Sequence, residues 1–325
     1  MFSRLPREFW LLISILLVGL TVHAIETSGQ VHLQSNFLRT LNLAPLAKDI
    51  AILGIFAMGA GIIIIAGGID LSAGSVICFT GVICAKVPDW LGHERGTPYG
   101  AALIASMVAI TFGVGALVGL LHGGLINNLG LPPFVATLGT MAGLRSLASV
   151  IGEGSIAVSD ENFRAIGKSW YVPVIIVLIE AVILAVLMRY TRLGRHIYAM
   201  GGNEEAARLS GLPIGRLKLF AYGLGSLTAT LAGLVYLAHV GSAGSNTAIG
   251  YELSGIAAAV VGGCSLKGGS GTILGILLGC VLLRLVINGT LFVITNGATD
   301  WEGLIVGVVV ILAVLLGRLG GKEPS

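Results

Sequence analysis

The chain has 325 residues, of which 55% are hydrophobic and only 11% charged, and its formal net charge is +3. Soluble domains carry about 25% charged residues, so this composition excludes a soluble protein and indicates that the surface is solvated by lipid. The mean hydropathy of +0.94 and the 49 glycines fit closely packed membrane helices, because small residues let helix backbones approach in a bilayer.

Ten apolar segments follow one another along the chain, and most approach the roughly 20 residues that a helix needs to cross the hydrocarbon. They are 8–25, 45–66, 70–87, 98–121, 131–151, 171–189, 217–240, 251–264, 270–287 and 302–319. The first resembles a signal peptide because Arg4 and Arg7 precede it, but we favour a retained span. Segment 251–264 is short and could be re-entrant. We therefore expect an all-α polytopic membrane protein of about ten transmembrane helices, forming one permease domain over 1–325.

The loops favour a cytoplasmic N-terminus. With that orientation, most loop Lys and Arg residues fall on the cytoplasmic side, above all in the loop 190–216, as the positive-inside rule requires. Both termini are then cytoplasmic, as in a multi-pass protein of the cytoplasmic (inner) membrane.

An internal similarity indicates a duplication. Residues 67–75 read GGIDLSAGS and residues 262–270 read GGCSLKGGS, and apolar segments flank both turns at the same spacing. Because both turns fall on the cytoplasmic side, the repeat is parallel, with halves at about 45–121 and 240–319. Internal duplication is common among transporter folds.

The stretch Arg189–Lys218 is the one long polar interval. Within it, Asn203 can cap a two-turn helix with Glu204 and Glu205 in its first turn and Arg208 in its last, before a Gly-x-Pro pattern ends it. Such a helix between membrane spans is best explained by a partner outside the membrane that binds it.

Signatures of enzymes are absent from the sequence. It has neither HExxH nor GxSxG, and IGKS at 166–169 lacks the first glycine of a phosphate-binding loop. The four cysteines lie in apolar runs without metal-ligand spacing. We therefore expect a chain that is not an enzyme and holds no metal and no cofactor.

Intramembrane charges mark candidate functional positions. Glu180 is the acid deepest in a predicted span and reads as a buried structural residue. Arg145 and Arg284 could each pair with an acid. His122 and His196 fall in predicted loops.

Four polar residues are candidates for a solute path. Asp70 and Ser72 lie in the first repeat turn, where Asp70 could instead stabilise the start of the next helix. Thr137 and Thr140 lie along the fifth segment, where they could line a path for a hydroxylated solute or bond to their own helix.

Four motifs in order give the chain a family resemblance. GGIDLSAGSV at 67–76, LPPFVATLGTM at 131–141, GNEEAARLSGLPIGRLK at 202–218 and GGCSLKGGSGTILG at 262–275 together resemble the permease subunits of bacterial ABC importers for monosaccharides such as ribose, xylose, arabinose and galactose. The resemblance covers about 45–319; the interval 288–304 departs from it.

The resemblance implies the partners. They are cytoplasmic ATP-binding subunits that hold ATP and Mg, an extracytoplasmic sugar-binding protein, and a second permease copy, identical or different, but no nucleic acid. It also implies that a cytoplasmic helix contacts the ATPase, here through Asn203, Glu204, Glu205, Ala206, Ala207 and Arg208.

Three alternatives remain open. An ion-coupled secondary carrier would use Glu180 and Asp70 as ion-binding residues. A permease for another small solute, such as a branched-chain amino acid, would share the architecture. A membrane scaffold would not need the duplicated Gly-rich core. The sequence does not select a particular sugar.

Overall fold

The structure is a computed structural model that describes residues 6–28, 36–294, 297 and 301–320. These form thirteen helices and one pair of two-residue strands. In chain order they are α1 Arg7–Ser28, α2 Thr40–Ile65, α3 Ala73–Trp90, α4 Ala101–Asn127, α5 Pro133–Gly152, β1 Ile156–Ala157, α6 Glu161–Lys168, α7 Tyr171–Tyr190, α8 Arg192–Gly202, α9 Glu204–Leu209, α10 Ile214–Val240, β2 Ser242–Ala243, α11 Tyr251–Val261, α12 Ile273–Val293 and α13 Glu302–Gly320.

Helix α2 is the centre of the bundle. Its residues are buried without interruption from Ala51 to Ile65, because α7, α10, α11 and α12 surround it. A helix that is apolar on every side must be covered on every side. By contrast, α7 exposes an apolar face that includes Leu178 and Val182, as expected for a helix in contact with lipid.

Helices α4 and α10 pack closely along a row of glycines spaced four residues apart. Gly115 faces Thr230, Gly119 faces the backbone of Gly223, and Gly123 faces Leu219. A Cβ at Gly119 would lie 2.7 Å from the Gly223 Cα. Because this row of small residues packs against α10, the side chain of His122, which lies next to it, points into the protein.

Seven helices in the described part of the chain are long and apolar enough to cross a membrane: α1, α2, α4, α5, α7, α10 and α12. The all-α polytopic class is therefore confirmed. The predicted segments 70–87, 251–264 and 302–319 are helical as α3, α11 and α13 but are not among the seven, so the count of ten stays a prediction.

The polar interval contains more structure than a loop. Helix α8 buries one face with Gly194, Ile197, Met200 and Gly201, and the predicted capped helix follows as α9. His196, expected in the interval between two spans, lies there in α8, which is not among the candidate spans.

The two repeat turns begin with the same backbone pattern. After α2, Ala66 N–H bonds Ile62 C=O and Gly68 N–H bonds Ile63 C=O; after α11, Gly262 N–H bonds Ala258 C=O and Cys264 N–H bonds Ala259 C=O. In each case a glycine of positive φ, Gly67 or Gly263, ends the helix. The matching residues are 196 positions apart, whereas the aligned motifs at 67–75 and 262–270 are one position closer.

Partners of the two intramembrane arginines are now defined. Arg284 pairs with Glu302 at 2.9 Å and lies over the ring of Tyr251. Arg145 bonds no acid in the described residues; its Nη1 donates to the carbonyl oxygens of Ser245 and Thr247.

All four cysteines are free and buried.

Candidate functional site

Helix α9 is short, capped and exposed. The side-chain oxygen of Asn203 accepts a hydrogen bond from the Ala206 N–H at 2.9 Å, which satisfies one free donor at the helix start. Gly211, with φ of +81°, follows the last turn. Of its six residues only Ala207 is buried, and Leu209 is 85% exposed. Such an exposed apolar side chain beside charges is typical of a protein contact surface.

Glu204 anchors α9 to α10. Its carboxylate accepts hydrogen bonds from Arg208 Nη2 at 2.8 Å and from Lys218 Nζ at 2.9 Å. Burial raises the pKa of Glu204, but Lys218 and Arg208 together outweigh burial and hold it below its ordinary value. The anchor is therefore complete above the unfolded pKa of about 4.3 and is lost as the pH falls through the lower folded value. Glu205, by contrast, is exposed.

A backbone junction joins α8 to the centre of the bundle. The Gly269 N–H donates to the carbonyl of Ile65, the last residue of α2, at 2.8 Å. Gly201, near the end of α8, packs against the same carbonyl, and Tyr198 Oη donates to the Gly271 carbonyl at 2.8 Å. The segment that leads into α9 is thus fixed to both repeat turns. We call this end of the bundle the α9 end.

A buried polar cluster lies near the start of α3. One carboxylate oxygen of Asp70 accepts from the Ser72 N–H at 2.7 Å and from its hydroxyl at 2.6 Å. The ring of His122 lies 2.8 Å from Thr140 Oγ1, 3.4 Å from Ser72 Oγ and 3.5 Å from Ser226 Oγ. Asp70, Ser72, His122 and Ser226 are all buried. The cluster therefore links α3, α4, α5 and α10.

The hydrogen bonds of the neighbouring hydroxyl groups indicate which ring nitrogen of His122 is the donor. The Thr140 hydroxyl proton goes to the Thr137 carbonyl, and the Ser72 hydroxyl proton goes to Asp70. Nε2 of His122 must then be the donor toward both hydroxyls, and Nδ1 accepts from Ser226. A proton on Nε2 is compatible with every one of these contacts.

Thr137 ties α5 to the first repeat turn. Its hydroxyl oxygen accepts from the Leu71 N–H at 3.2 Å and is 3.0 Å from the Pro133 carbonyl of its own helix. The bond to its own helix, which the sequence allows as an alternative, is present. It coexists with a contact between helices.

The structure thus brings together all four candidate path residues, Asp70, Ser72, Thr137 and Thr140. Three of them are buried, and Thr140 borders a groove of about 310 Å³ between α4 and α5. A larger cavity of about 620 Å³ lies at the α9 end, where Asn127, Arg208 and Lys218 border it.

His122 is the residue that sequence reasoning missed. Its assignment to a loop is wrong: α4 continues to Asn127, six residues past the predicted end of the span. The signal that could have found it is the spacing of the glycines. Gly115, Gly119 and Gly123 recur every four residues, and this helical period continues past His122.

Glu180 lies in α7 and is buried, as predicted. Neither carboxylate oxygen has a hydrogen-bond partner among the described residues. A buried carboxyl group without hydrogen bonds is energetically costly.

Comparisons with known proteins agree with this arrangement. Residues 42–314 match the family model described as "Branched-chain amino acid transport system / permease component". The ribose import permease protein RbsC of Escherichia coli (strain K12) is 36% identical over 293 residues, 87% of each chain. The ribose import permease protein RbsC of Bacillus subtilis (strain 168) is 35% identical over 306 residues, 88% of this chain and 87% of the relative.

A third relative carries another sugar in its name. The galactose/methyl galactoside import permease protein MglC of Escherichia coli (strain K12) is 33% identical over 298 residues, 87% of this chain and 88% of the relative. No solved structure matches the chain. The family match spans most of the sequence, and the resemblance found in its motifs is confirmed. This chain belongs to the family of permease components of the branched-chain amino acid transport system type, which includes the sugar import permeases.

Proposed function

We propose that the chain is the membrane-spanning permease subunit of an ABC importer that moves a monosaccharide, a ribose-like pentose or a hexose, across the inner membrane. The relatives named for ribose and galactose support the class of solute. The main support for the mechanism is α9, which is exposed and capped. The preceding helix, α8, packs through Gly201 against the carbonyl of Ile65 at the end of the central helix α2.

The proposed partners follow from that geometry. Cytoplasmic ATP-binding subunits, which hold ATP and Mg, would bind α9 through the surface of Asn203, Glu204, Glu205, Ala206, Ala207 and Arg208. A sugar-binding protein would deliver solute at the opposite end, and a second permease copy would complete the path. Both termini would then be cytoplasmic, and this chain would form no covalent bond with the solute.

The junction gives α9 a means to move the spans. Closure of the ATPase pair would displace α9, and α8 would transmit the displacement to the end of α2 and to the turn 263–271. Interfaces of this kind switch between discrete packings. We propose that Asp70, Ser72, Thr137 and Thr140, with His122, are the inner closure of the solute path, which opens when α5 moves away from the first repeat turn.

Ten spans in two parallel repeats, about 45–121 and 240–319, remain part of the proposal. The matching ends of α2 and α11 support the duplication. After them, however, the chain takes different lengths to the next helix: α3 begins at Ala73 and α12 at Ile273.

An ion-coupled carrier is the second candidate, because Glu180 is a buried carboxyl without a partner among the described residues. The names of the relatives do not favour it. The two functions differ in what drives them, which assembly and uptake experiments can separate.

The test is co-purification of the chain in detergent with the ATP-binding subunit encoded beside it. We expect a stable complex for the wild type and its loss for Glu205→Arg, because Glu205 is exposed and its replacement changes the surface of α9 without breaking a side-chain hydrogen bond or ion pair among the described residues. The matched control is Glu94→Arg, an exposed residue in the turn at the opposite end of α3. Equal recovery of ATPase with both variants would exclude α9 as the contact.

A further inference from the structure

The backbone between α10 and α11 packs against α3 without being helical. Segment 241–250 joins the end of α10 to the start of α11, and Cys78 Sγ donates to its Gly244 carbonyl at 3.2 Å. Cys78 is twelve residues from the end of α3 at Trp90, or about 18 Å along the helix. Further on, the Ala248 carbonyl packs against Gly74, where a Cβ would lie 2.7 Å from it. The segment therefore runs along the first half of α3, and its carbonyls at Ser245 and Thr247 bond Arg145, which lies inside the candidate span α5; this contact places the segment at membrane depth.

This non-helical backbone is only partly covered by the protein. Of residues 241–250, only Ala243 and Ala248 are buried, whereas Asn246 and Ile249 are exposed. Lipid cannot satisfy free backbone groups, so irregular backbone at membrane depth occurs only where protein covers it or water reaches it. The exposed side-chain amide of Asn246 is also polar, and at this depth it too needs contact with protein or water.

Arg145 provides an independent observation on the same face. It lies within the span α5 and is partly exposed. Its Nη1 donates to the carbonyls of Ser245 at 2.8 Å and Thr247 at 3.1 Å; Nε and Nη2 have no hydrogen-bond partner in the described part of the chain. Ser146 and Ser149 of α5 are exposed beside it. An intramembrane arginine faces a bundle interior or a water-filled cavity.

We propose that the face formed by α5 and segment 241–250 lines a water-filled outer half of the solute path. There the free N–H groups of Arg145 and the amide of Asn246 bind the hydroxyl groups of an uncharged polyhydroxylated solute. This inference rests on the proposed function and adds the place and the residues of solute contact. An amide that both donates and accepts, beside a fixed donor, suits hydroxyl groups, which also do both.

The test uses cysteine accessibility in the complete complex in proteoliposomes. Asn246→Cys is compared with Val182→Cys, a control that is 64% exposed on the apolar face of α7, where we expect lipid. The probe is a membrane-impermeant thiol reagent added on the side opposite the ATPase. The four native cysteines are buried, which keeps the background low.

We expect position 246 to react at least about tenfold faster than position 182, because thiolate forms only where water has access. We also expect Asn246→Cys to take up solute more slowly than the wild type before labelling, because it lacks the amide, and the attached group to abolish the uptake that remains. Equal rates at the two positions, or unchanged uptake after modification of position 246, would overturn the inference. Uptake of ribose and of galactose by the unmodified wild type is measured in parallel; absence of both would count against the proposed function instead, whatever the labelling rates.

Discussion

Replacement of His122 by leucine is expected to lower the free energy of unfolding by about 2 kcal/mol and to reduce transport strongly. The ring donates toward Thr140 and Ser72 and accepts from Ser226. Leucine would fill most of the space but would leave the buried Ser226 hydroxyl without its acceptor and the Thr140 oxygen without its donor. Buried polar groups without partners carry the full cost of desolvation.

His122→Gln is the matched control, because glutamine retains one donor and one acceptor. We expect it to lose less than half as much stability as His122→Leu. The measurement is the midpoint of thermal unfolding in detergent, with uptake recorded for the same preparations. If leucine and glutamine proved equally stable, the hydrogen bonds of the cluster would contribute nothing and the ring would serve only as packing.

Gly201→Ala is expected to lower the free energy of unfolding by about 3 kcal/mol. Its Cβ would collide with the carbonyl of Ile65 and would lie 2.8 Å from the backbone nitrogen of Gly269. Neither obstacle is a flexible side chain, so the end of α8 must move away from α2. ATP hydrolysis by the assembled complex should then be uncoupled from uptake.

The neighbouring residue supplies the control for this prediction. A Cβ at Gly202 meets nothing within 4 Å, so Gly202→Ala should change stability by less than about 0.5 kcal/mol. Both variants alter the same helix end by one methyl group. Coupled transport by Gly201→Ala at the wild-type level would show that the junction does not transmit motion.

Local features of this fold could be predicted from the sequence because they depend on neighbouring residues. The cap at Asn203 and the end of α9 follow from side chains within a few positions, and both are as predicted. The burial of Glu180 and of the cysteines follows from apolar surroundings along the chain. Family membership follows from four motifs in their order.

Features that depend on distant residues could not be predicted in this way. The partners of Arg145 are carbonyls about a hundred positions away, and backbone acceptors leave no mark in the sequence. The hydropathy drops at His122, and the end of α4 is therefore placed too early. The tight contact with α10 nevertheless continues to Gly123.

The most direct measurement is uptake of labelled ribose into proteoliposomes that contain the chain with its ATP-binding subunit and loaded sugar-binding protein. We expect uptake that requires ATP on the ATPase side, persists without an ion gradient and is retained by Glu180→Gln. Uptake by the chain alone that is driven by a proton or sodium gradient and lost in Glu180→Gln would contradict an ATP-driven permease and identify an ion-coupled carrier.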